Sequence, residues 1–400
     1  MKKLLQINPT VRESTSTGKI MREIGEMAIS AGWESYIAYS GARDGIPPHS
    51  SKLVPVGNRP DLLRHFLATR LFDAHGLASK RATRRLIERI KEIDPDIIHI
   101  HNVHGYFLNY PELCDYLAAS GKPVIWTVHD CWLYTGHCYH YASAGCDRWQ
   151  TECHDCPCKT RFPASYVLDR SRRNYRLKKQ CFTSLPNFTL VVVSDWMKAE
   201  LAKSFLADVP CLTIHNGIDT QVFSPEENPA GSEVYYLAVA SIWLKEKGLG
   251  DLAELAGLLA PDEKLVVVGK MSEAQKRSLP EKVVTIERTA DVGALVHLYS
   301  GATALVNPTW QDNYPTVNLE SISCGTPVVT YRTGGSVESV TPETGYIVEQ
   351  GDVKGMYERL RQIREHDREA WRRSCREYAL RHFDKHTALE AYLRLYDSIL

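Results

Sequence analysis

The chain has 400 residues, and Lys plus Arg balance Asp plus Glu at 48 each. This length suggests two or three domains with sizeable cores, and zero net charge gives no support to a nucleic-acid binder, which shows a basic excess. No apolar run approaches the ~20 residues of a membrane-spanning helix. Eleven cysteines without a secretory leader are expected as thiols or metal ligands rather than disulfides.

The first segment, MKKLLQINPT, has too few apolar residues for a leader and reads as a buried strand. A cytoplasmic location follows, compatible with peripheral attachment to the inner face of a membrane. A polar loop, PTVRESTSTG, leads to a helix over KIMREIGEMAISAG, and SYIAYS is the next strand. An irregular basic stretch follows, then a helix around Thr83–Ile93 closed by Asp94-Pro95. DIIHIH, PVIWTVHD and TLVVVSDW are continuous apolar runs, the mark of parallel strands covered on both faces. Between the last two lies an insertion, 131–163, rich in Cys, His and Tyr. LTIHNGIDTQVFSPEENPAGSE carries a strand, a turn and a polar Pro/Gly run, where a domain boundary is expected. The alternation then repeats: VYYLAVAS, a helix near 249–259, KLVVVGK, VVTIE, a helix near 291–299 and a strand ending at Asn307. DKHTALEAYLRLYDSIL should form a final helix. The expected class is α/β, with two Rossmann-like domains built on parallel sheets. The first spans 1–222 and is joined by the final helix 384–400; the second spans 223–383.

The most specific stretch is 307–338, NPTWQDNYPTVNLESISCGTPVVTYRTGGSVE. It reads as strand, polar loop, helix, Cys-Gly-Thr-Pro turn, strand and glycine loop, which is a βαβ unit. Such units bind ligands where strands hand over to helices. With the helix starting near Pro315, Glu320 falls in its second turn and Asp312 in the loop before it. The helix N-terminus then offers N–H groups to an anion between the two acids.

These residues closely resemble the donor site of retaining glycosyltransferases of family 4, of the GT-B fold. That pattern has two acids with seven residues between them, a Gly-x-Pro-Val-Val turn and a Gly-Gly-x-x-Glu loop. Here it reads Asp312, Glu320, Gly325, Pro327, Val328, Val329, Gly334, Gly335 and Glu338. The first acid is an Asp instead of the usual Glu. The resemblance extends over nearly the whole chain, through His215-Asn216-Gly217-Ile218-Asp219, Val266–Gly269 and Thr344-Gly345-Tyr346. It implies two domains facing a central cleft that holds a nucleoside-diphosphate sugar of the UDP or GDP type. It also implies that Asp312 holds sugar hydroxyls and Glu320 the ribose. Lys247 and the backbone at Pro315, Thr316 and Val317 would hold the diphosphate, with His129 at the reacting face. The Arg usual in the Lys-Gly loop is replaced by Ile242, with Lys245 as a nearby cation. Gly18 occupies the place of a glycine-rich loop that approaches donor or acceptor.

Other groups bear on the chemistry. His99, His101 and His104 run along a buried strand onto a loop without an acidic or cysteine partner nearby, which argues against a metal cluster. Asp94-Pro95-Asp96 formally matches a metal-binding Asp-x-Asp, but it ends a helix and starts a strand, so no catalytic metal is expected. No Gly-x-Gly-x-x-Gly follows a strand, against a nicotinamide enzyme. In the insertion, Cys153-x-x-Cys156 has the knuckle spacing of structural zinc, and Cys138 and Cys146 would complete four thiolates, leaving Cys158 over. The expected function is transfer of a sugar, with retained configuration and without a metal, to a glycan or lipid-linked acceptor in surface polysaccharide synthesis. The rivals are a GT-B sugar-nucleotide epimerase or phosphorylase, and an inactive zinc-stapled nucleotide- or glycan-binding protein.

Overall fold

The computed structural model describes residues 1–12, 15–41, 49–226 and 234–400. Part of the first polar loop, part of the basic stretch after SYIAYS and most of the Pro/Gly run lie outside the described residues.

The chain divides into two compact units, Met1–Ile214 with Leu389–Leu400, and His215–Ala388. The first opens with β1 (Lys3–Ile7), α1 (Ser16–Ser30), β2 (Glu34–Ser40), β3 (Lys52–Val56), α2 (Arg59–Phe72) and α3 (Lys80–Ile93). It continues through β4 (Ile97–Ile100), α4 (Tyr110–Ser120), β5 (Val124–Val128), α5 (Ser171–Thr183), β6 (Phe188–Val192), α6 (Asp195–Leu201) and β7 (Cys211–Thr213). The strands form one parallel sheet in the order β3-β2-β1-β4-β5-β6-β7. Every residue of β4 and β5 is buried, as a sheet covered on both faces requires.

The second unit contains β8 (Val234–Ile242), α7 (Leu249–Leu258), β9 (Glu263–Lys270), α8 (Glu273–Arg277), β10 (Val283–Ile286) and α9 (Val292–Gly301). β11 (Ala304–Asn307), α10 (Thr316–Ser323), β12 (Val328–Tyr331), β13 (Gly345–Val348), α11 (Val353–Glu365) and α12 (Arg368–His382) complete it. Its sheet is also parallel, in the order β10-β9-β8-β11-β12-β13. Its core gathers Leu252, Leu255, Leu265, Val267, Val306, Val329, Met356 and Leu360, each side chain worth ~1.5–3 kcal/mol when removed from water.

The division falls earlier than the boundary expected at 222/223. The turn after His215 packs within the second unit: Ile218 N–H donates to Phe383 O, and Ser323 Oγ donates to Phe223 O. The last helix, α13 (Lys385–Ile399), starts in the second unit and contributes residues from Leu389 onward to the first. In the first unit Tyr396 OH lies 2.6 Å from His99 Nδ1, and Thr127 Oγ1 lies 2.8 Å from His99 Nε2 and 3.1 Å from Tyr392 OH. The basic stretch read as irregular contains β3 and the whole of α2.

Candidate functional site

In the second unit the sheet order reverses between β8 and β11. Connections leaving two such strands run to opposite faces and open a crevice at their carboxyl ends. Lys247 follows β8 in a short turn, Lys245–Lys247, that opens α7. Asp312 follows β11. The Lys247 ammonium donates to Asp312 Oδ2 at 2.7 Å. The structure thus brings together two groups that the sequence separates by 65 positions.

The two loops are fastened backbone to backbone. Trp310 N–H donates to Glu246 O at 2.8 Å. Gly248 adopts φ +79°, and a Cβ there would sit 2.1 Å from Pro308 O, so only glycine fits. Asp312 is braced from the other side by the glycine loop: Gly335 N–H donates to Asp312 O at 3.2 Å, and a Cβ on Gly334 would lie 2.0 Å from that oxygen. Ile242 ends β8 beyond a register shift and is exposed; it offers no charge where the resemblance leads one to expect a guanidinium. Lys245 is exposed.

α10 begins at Thr316 with Pro315 as its cap. Pro315 has no N–H, so of the three backbone positions expected to meet a diphosphate only two can donate. Thr316 and Val317 are half-exposed, and first-turn N–H groups have no partner within their helix. Pro315 contributes its carbonyl, which accepts from Asn318 N–H at 3.2 Å. Glu320 sits in the second turn, half-buried, and accepts from Tyr299 OH at 2.9 Å; burial and this carboxylate push the Tyr299 phenol well up.

Beneath the helix start lies a buried polar network that sequence reading missed. Asn318 Nδ2 donates to Ser336 Oγ at 3.2 Å and Ser339 Oγ at 3.0 Å, while its Oδ1 accepts from Asn307 Nδ2 at 2.8 Å. It ties the end of β11, α10 and the glycine loop into one block. The only prior signal is an Asn at an apolar-phase position of a helix. At the end of that loop Glu338 Oε2 lies 2.9 Å from His215 Nε2, whose ring packs 4.9 Å from Tyr314.

In the first unit a chain of hydrogen bonds fixes the proton on His129. Gln6 Nε2 donates to Met21 O at 2.9 Å, so Gln6 Oε1 is the acceptor facing His101 Nε2 at 3.1 Å. His101 therefore carries its proton on Nε2, and its Nδ1 accepts from His129 Nε2 at 3.1 Å. His129 is left with Nδ1 as its acceptor atom. Burial lowers its pKa to about 4 and that of His99 to about 3, so both rings are neutral at pH 7. Next to it, His104 Nε2 lies 2.7 Å from Asp130 Oδ2. Burial raises the Asp130 pKa, but the His104 interaction and the Trp132 N–H outweigh it and bring the value to about 2. His99, His101 and His104 are thus held by Tyr396, Thr127, Gln6, His129 and Asp130.

Gly18 lies in the first turn of α1 with its bare face against its own chain: a Cβ would meet Arg12 O at 2.5 Å. Asp94 ends α3 and pairs with Lys122 at 2.7 Å, and Asp96 Oδ2 accepts from Lys3 N–H at 2.6 Å. Both acids of Asp94-Pro95-Asp96 therefore have structural partners.

The insertion differs from expectation. Cys138, Cys156 and Cys158 are free thiols, the Cys138 thiol neighbouring the other two, while Cys153 Sγ accepts from Gly136 N–H at 3.2 Å and Cys146 is half-buried. Cys158, expected as the thiol left over, is buried. Turns with Lys159 N–H on Cys156 O and Arg161 N–H on Cys158 O fold the chain back after Pro157 and bury it. Among the described residues no three thiols lie within 4.8 Å of one another, so the set Cys138, Cys146, Cys153 and Cys156 is not drawn to tetrahedral spacing. His137 Nδ1–H donates to Asp73 Oδ1 at 2.6 Å, and its buried Nε2 has no hydrogen-bond partner among the described residues.

Two family descriptions match the chain: Glycosyltransferase Family 4 over residues 18–222 and Glycosyl transferases group 1 over residues 220–382. A protein of Escherichia coli (strain K12), named provisionally as the colanic acid biosynthesis glycosyl transferase WcaC, is 24% identical over 373 residues, 88% of each chain. The capsular polysaccharide biosynthesis glycosyltransferase CapM of Staphylococcus aureus is 24% identical over 200 residues, 44% of this chain and 51% of its own. Among solved structures, sucrose-phosphate synthase from Thermosynechococcus elongatus superposes with a TM-score of 0.72 at 16% identity, covering 100% of this chain and 99% of that one. Anabaena HepE in complex with UDP and glucose gives 0.68 at 14% identity, covering both chains completely. The fold is GT-B.

Proposed function

Because this chain belongs to the family 4 glycosyltransferases, glycosyl transferases group 1, we propose that it moves a sugar from a nucleoside diphosphate to a glycan or lipid-linked acceptor with retention of configuration. The observation that carries the reading is the Lys247–Asp312 pair at the point where the second sheet reverses, beside the first turn of α10.

Lys247 and the Thr316 and Val317 N–H groups would take the diphosphate. Negative charge grows there as the glycosidic bond breaks, and donors fixed in advance stabilise it without reorganising. Asp312, held by the glycine loop, would accept from sugar hydroxyls once Lys247 turns to the phosphates. Glu320 would accept from the ribose hydroxyls, with Tyr299 holding its other lone pairs. His129 would accept a hydroxyl proton at Nδ1. Were it to stand at the reacting face, as the resemblance implies, its neutral ring would add no positive charge there. The reaction is proposed to need no divalent metal, since Asp94 and Asp96 already cap and pair within the fold. A UDP-type donor is favoured by the UDP and glucose in Anabaena HepE, and a surface polysaccharide acceptor by the names of the WcaC and CapM relatives. Among the described residues no helix is long and apolar enough to cross a membrane. The names of the polysaccharide-synthesis relatives favour a cytoplasmic site of action, at the inner membrane face.

The test is a screen of UDP- and GDP-sugars for nucleotide release, with and without polysaccharide fragments or lipid-linked sugars, and anomeric configuration read by NMR. Release that requires acceptor and yields the donor's configuration is expected. Release without acceptor would support an epimerase or hydrolase, a need for phosphate a phosphorylase, and tight nucleotide binding without turnover an inactive binder.

A further inference from the structure

His75 stands apart from the other buried histidines of the first unit. His65 has Nδ1 2.9 Å from Ser79 Oγ, and its Nε2 accepts from Gly76 N–H at 3.0 Å. His99 and His101 also use both ring nitrogens, and His137 keeps its bond to Asp73. His75, in the loop after α2, is 4% exposed, and among the described residues neither of its nitrogens has a hydrogen-bond partner. Burial pushes its pKa well down, so the ring is neutral, with one N–H donor and one bare acceptor. A buried imidazole that forgoes both bonds destabilises the fold, and such a group calls for an occupant or a role.

The walls around it are rings. Tyr106, Trp132, Phe162 and His104 have their centroids 5.2, 5.8, 5.9 and 6.0 Å from that of His75. Phe162 closes the group from the insertion. It is 41% exposed and packs edge-on against His75, His104, Tyr106 and Tyr139. His104 and Trp132 follow β4 and β5, so the group lies at the carboxyl ends of those strands, where such sheets take their ligands. The charges beside it are already engaged. Asp130 is paired with His104, and the Lys178 ammonium, over the Trp132 ring, donates to Trp132 O and Thr135 O. A neutral imidazole among aromatic walls suits neither a phosphate nor a carboxylate, and a purely apolar occupant would leave it unsatisfied. A pyranose ring fits both demands. Its hydroxyls donate and accept, as the two nitrogens require, and its C–H face packs on aromatic rings.

We propose that Phe162 is the lid of a saccharide site, and that a pyranose ring of the acceptor enters beneath it and bonds His75. The inference rests on the reading that the acceptor carries sugar, and it adds which residues would grip that sugar. Phe162 swings outward to admit the ring and then packs over it. The insertion, and not the Rossmann-like core alone, thereby selects the acceptor.

Saturation-transfer NMR on the full-length protein without nucleotide tests the site, with the methyl glycosides of glucose, galactose and mannose as probes. At least one of them should receive saturation. His75→Leu removes both orphan nitrogens and should melt at or above the wild-type temperature, because an unsatisfied polar group leaves the core. It should weaken that glycoside's Kd roughly tenfold. Phe162→Ala changes an exposed side chain and should weaken it several-fold. The proposal is overturned if no glycoside binds, or if His75→Leu, as stable as the wild type, binds equally well. Should His75→Leu melt well below the wild type, Phe162→Ala decides: a several-fold loss upholds the proposal and unchanged binding overturns it. Affinity for UDP in the same samples reads the transferase proposal separately. It should be equal in all three proteins, and its absence would strike at the transferase reading while leaving the saccharide site to its own result.

Discussion

Gly334→Ala isolates the brace on Asp312. The glycine has φ +50°, a left-handed conformation that costs a residue with a Cβ ~1–2 kcal/mol. The added methyl would lie 2.0 Å from Asp312 O, and since both groups are backbone the loops must part. Parting them weakens the Gly335 N–H bond to the same oxygen, worth ~1 kcal/mol. The total, about 2–3 kcal/mol, should lower the melting temperature by roughly 4–12 °C for a domain of this size. The larger effect should be on rate. Asp312 carries the partner of Lys247, and displacement of positioned groups by ~1 Å costs up to about a hundredfold. Gly257→Ala is the control. It lies in α7 with nothing near its added Cβ, and alanine in a helix interior should stabilise by ~0.5–1 kcal/mol. Differential scanning calorimetry and nucleotide-release kinetics on both variants decide the matter. A Gly334→Ala protein with wild-type melting and wild-type turnover would falsify the brace.

Glu320→Gln should weaken donor-nucleotide affinity roughly tenfold or more, since a charged acceptor for two hydroxyls becomes a mixed amide; unchanged affinity in calorimetry would remove Glu320 from the site. Lys247→Ala should reduce kcat by about 10²–10³ and donor affinity by less, because charge grows on the diphosphate in the transition state; equal losses in both would make it a ground-state contact. The buried histidines predict acid sensitivity. His65 and His99 have pKa values lowered to about 3 and His129 to about 4, so below ~6.5 the unfolded chain binds protons that the folded chain does not. Stability should fall progressively from pH 6.5 toward 4, and a flat urea-midpoint profile over that range would contradict it. The zinc expected from the cysteine spacing would have to draw these thiols closer together on binding; that reading predicts about one zinc per chain, lost in Cys138→Ser, whose thiol neighbours those of Cys156 and Cys158. Elemental analysis well below that content, with all thiols titratable in the native protein, would show the insertion to be metal-free.

The parallel strands and the donor unit were legible because buried parallel strands are written as unbroken apolar runs, DIIHIH and KLVVVGK among them, and because residues 307–338 combine an acid pair, a turn and a glycine loop at fixed spacing. β3 and α2 were not. Only His65 and Thr69 face inward on α2, so the apolar periodicity there points to solvent and the arginines read as loop. Position along the chain also hid the partners. Nothing local to Glu320 points to Tyr299, nothing local to His129 points to Gln6, and the Lys247–Asp312 pair needs the crossover between β8 and β11 to exist. In the cysteine insertion the burial of Cys158 was not legible, because the turn after Pro157 that folds it inward is set by tertiary packing.

The bond between His99 and Tyr396 has a consequence for how the protein is made. The two residues are 297 positions apart, yet His99 is fully buried in the first sheet and needs both Tyr396 and Thr127 to satisfy its ring. During synthesis the seven strands of the first unit emerge long before that tyrosine. At ~5–20 residues per second the gap lasts on the order of 10–40 s, and throughout it His99 and Thr127 stand without Tyr396 and Tyr392, the partners they bond in the finished fold. The nascent first unit is therefore a waiting intermediate, exposed to chaperones and to its neighbours on the polysome. Translation to residue 396, rather than the emergence of the first domain, sets the moment at which it can close.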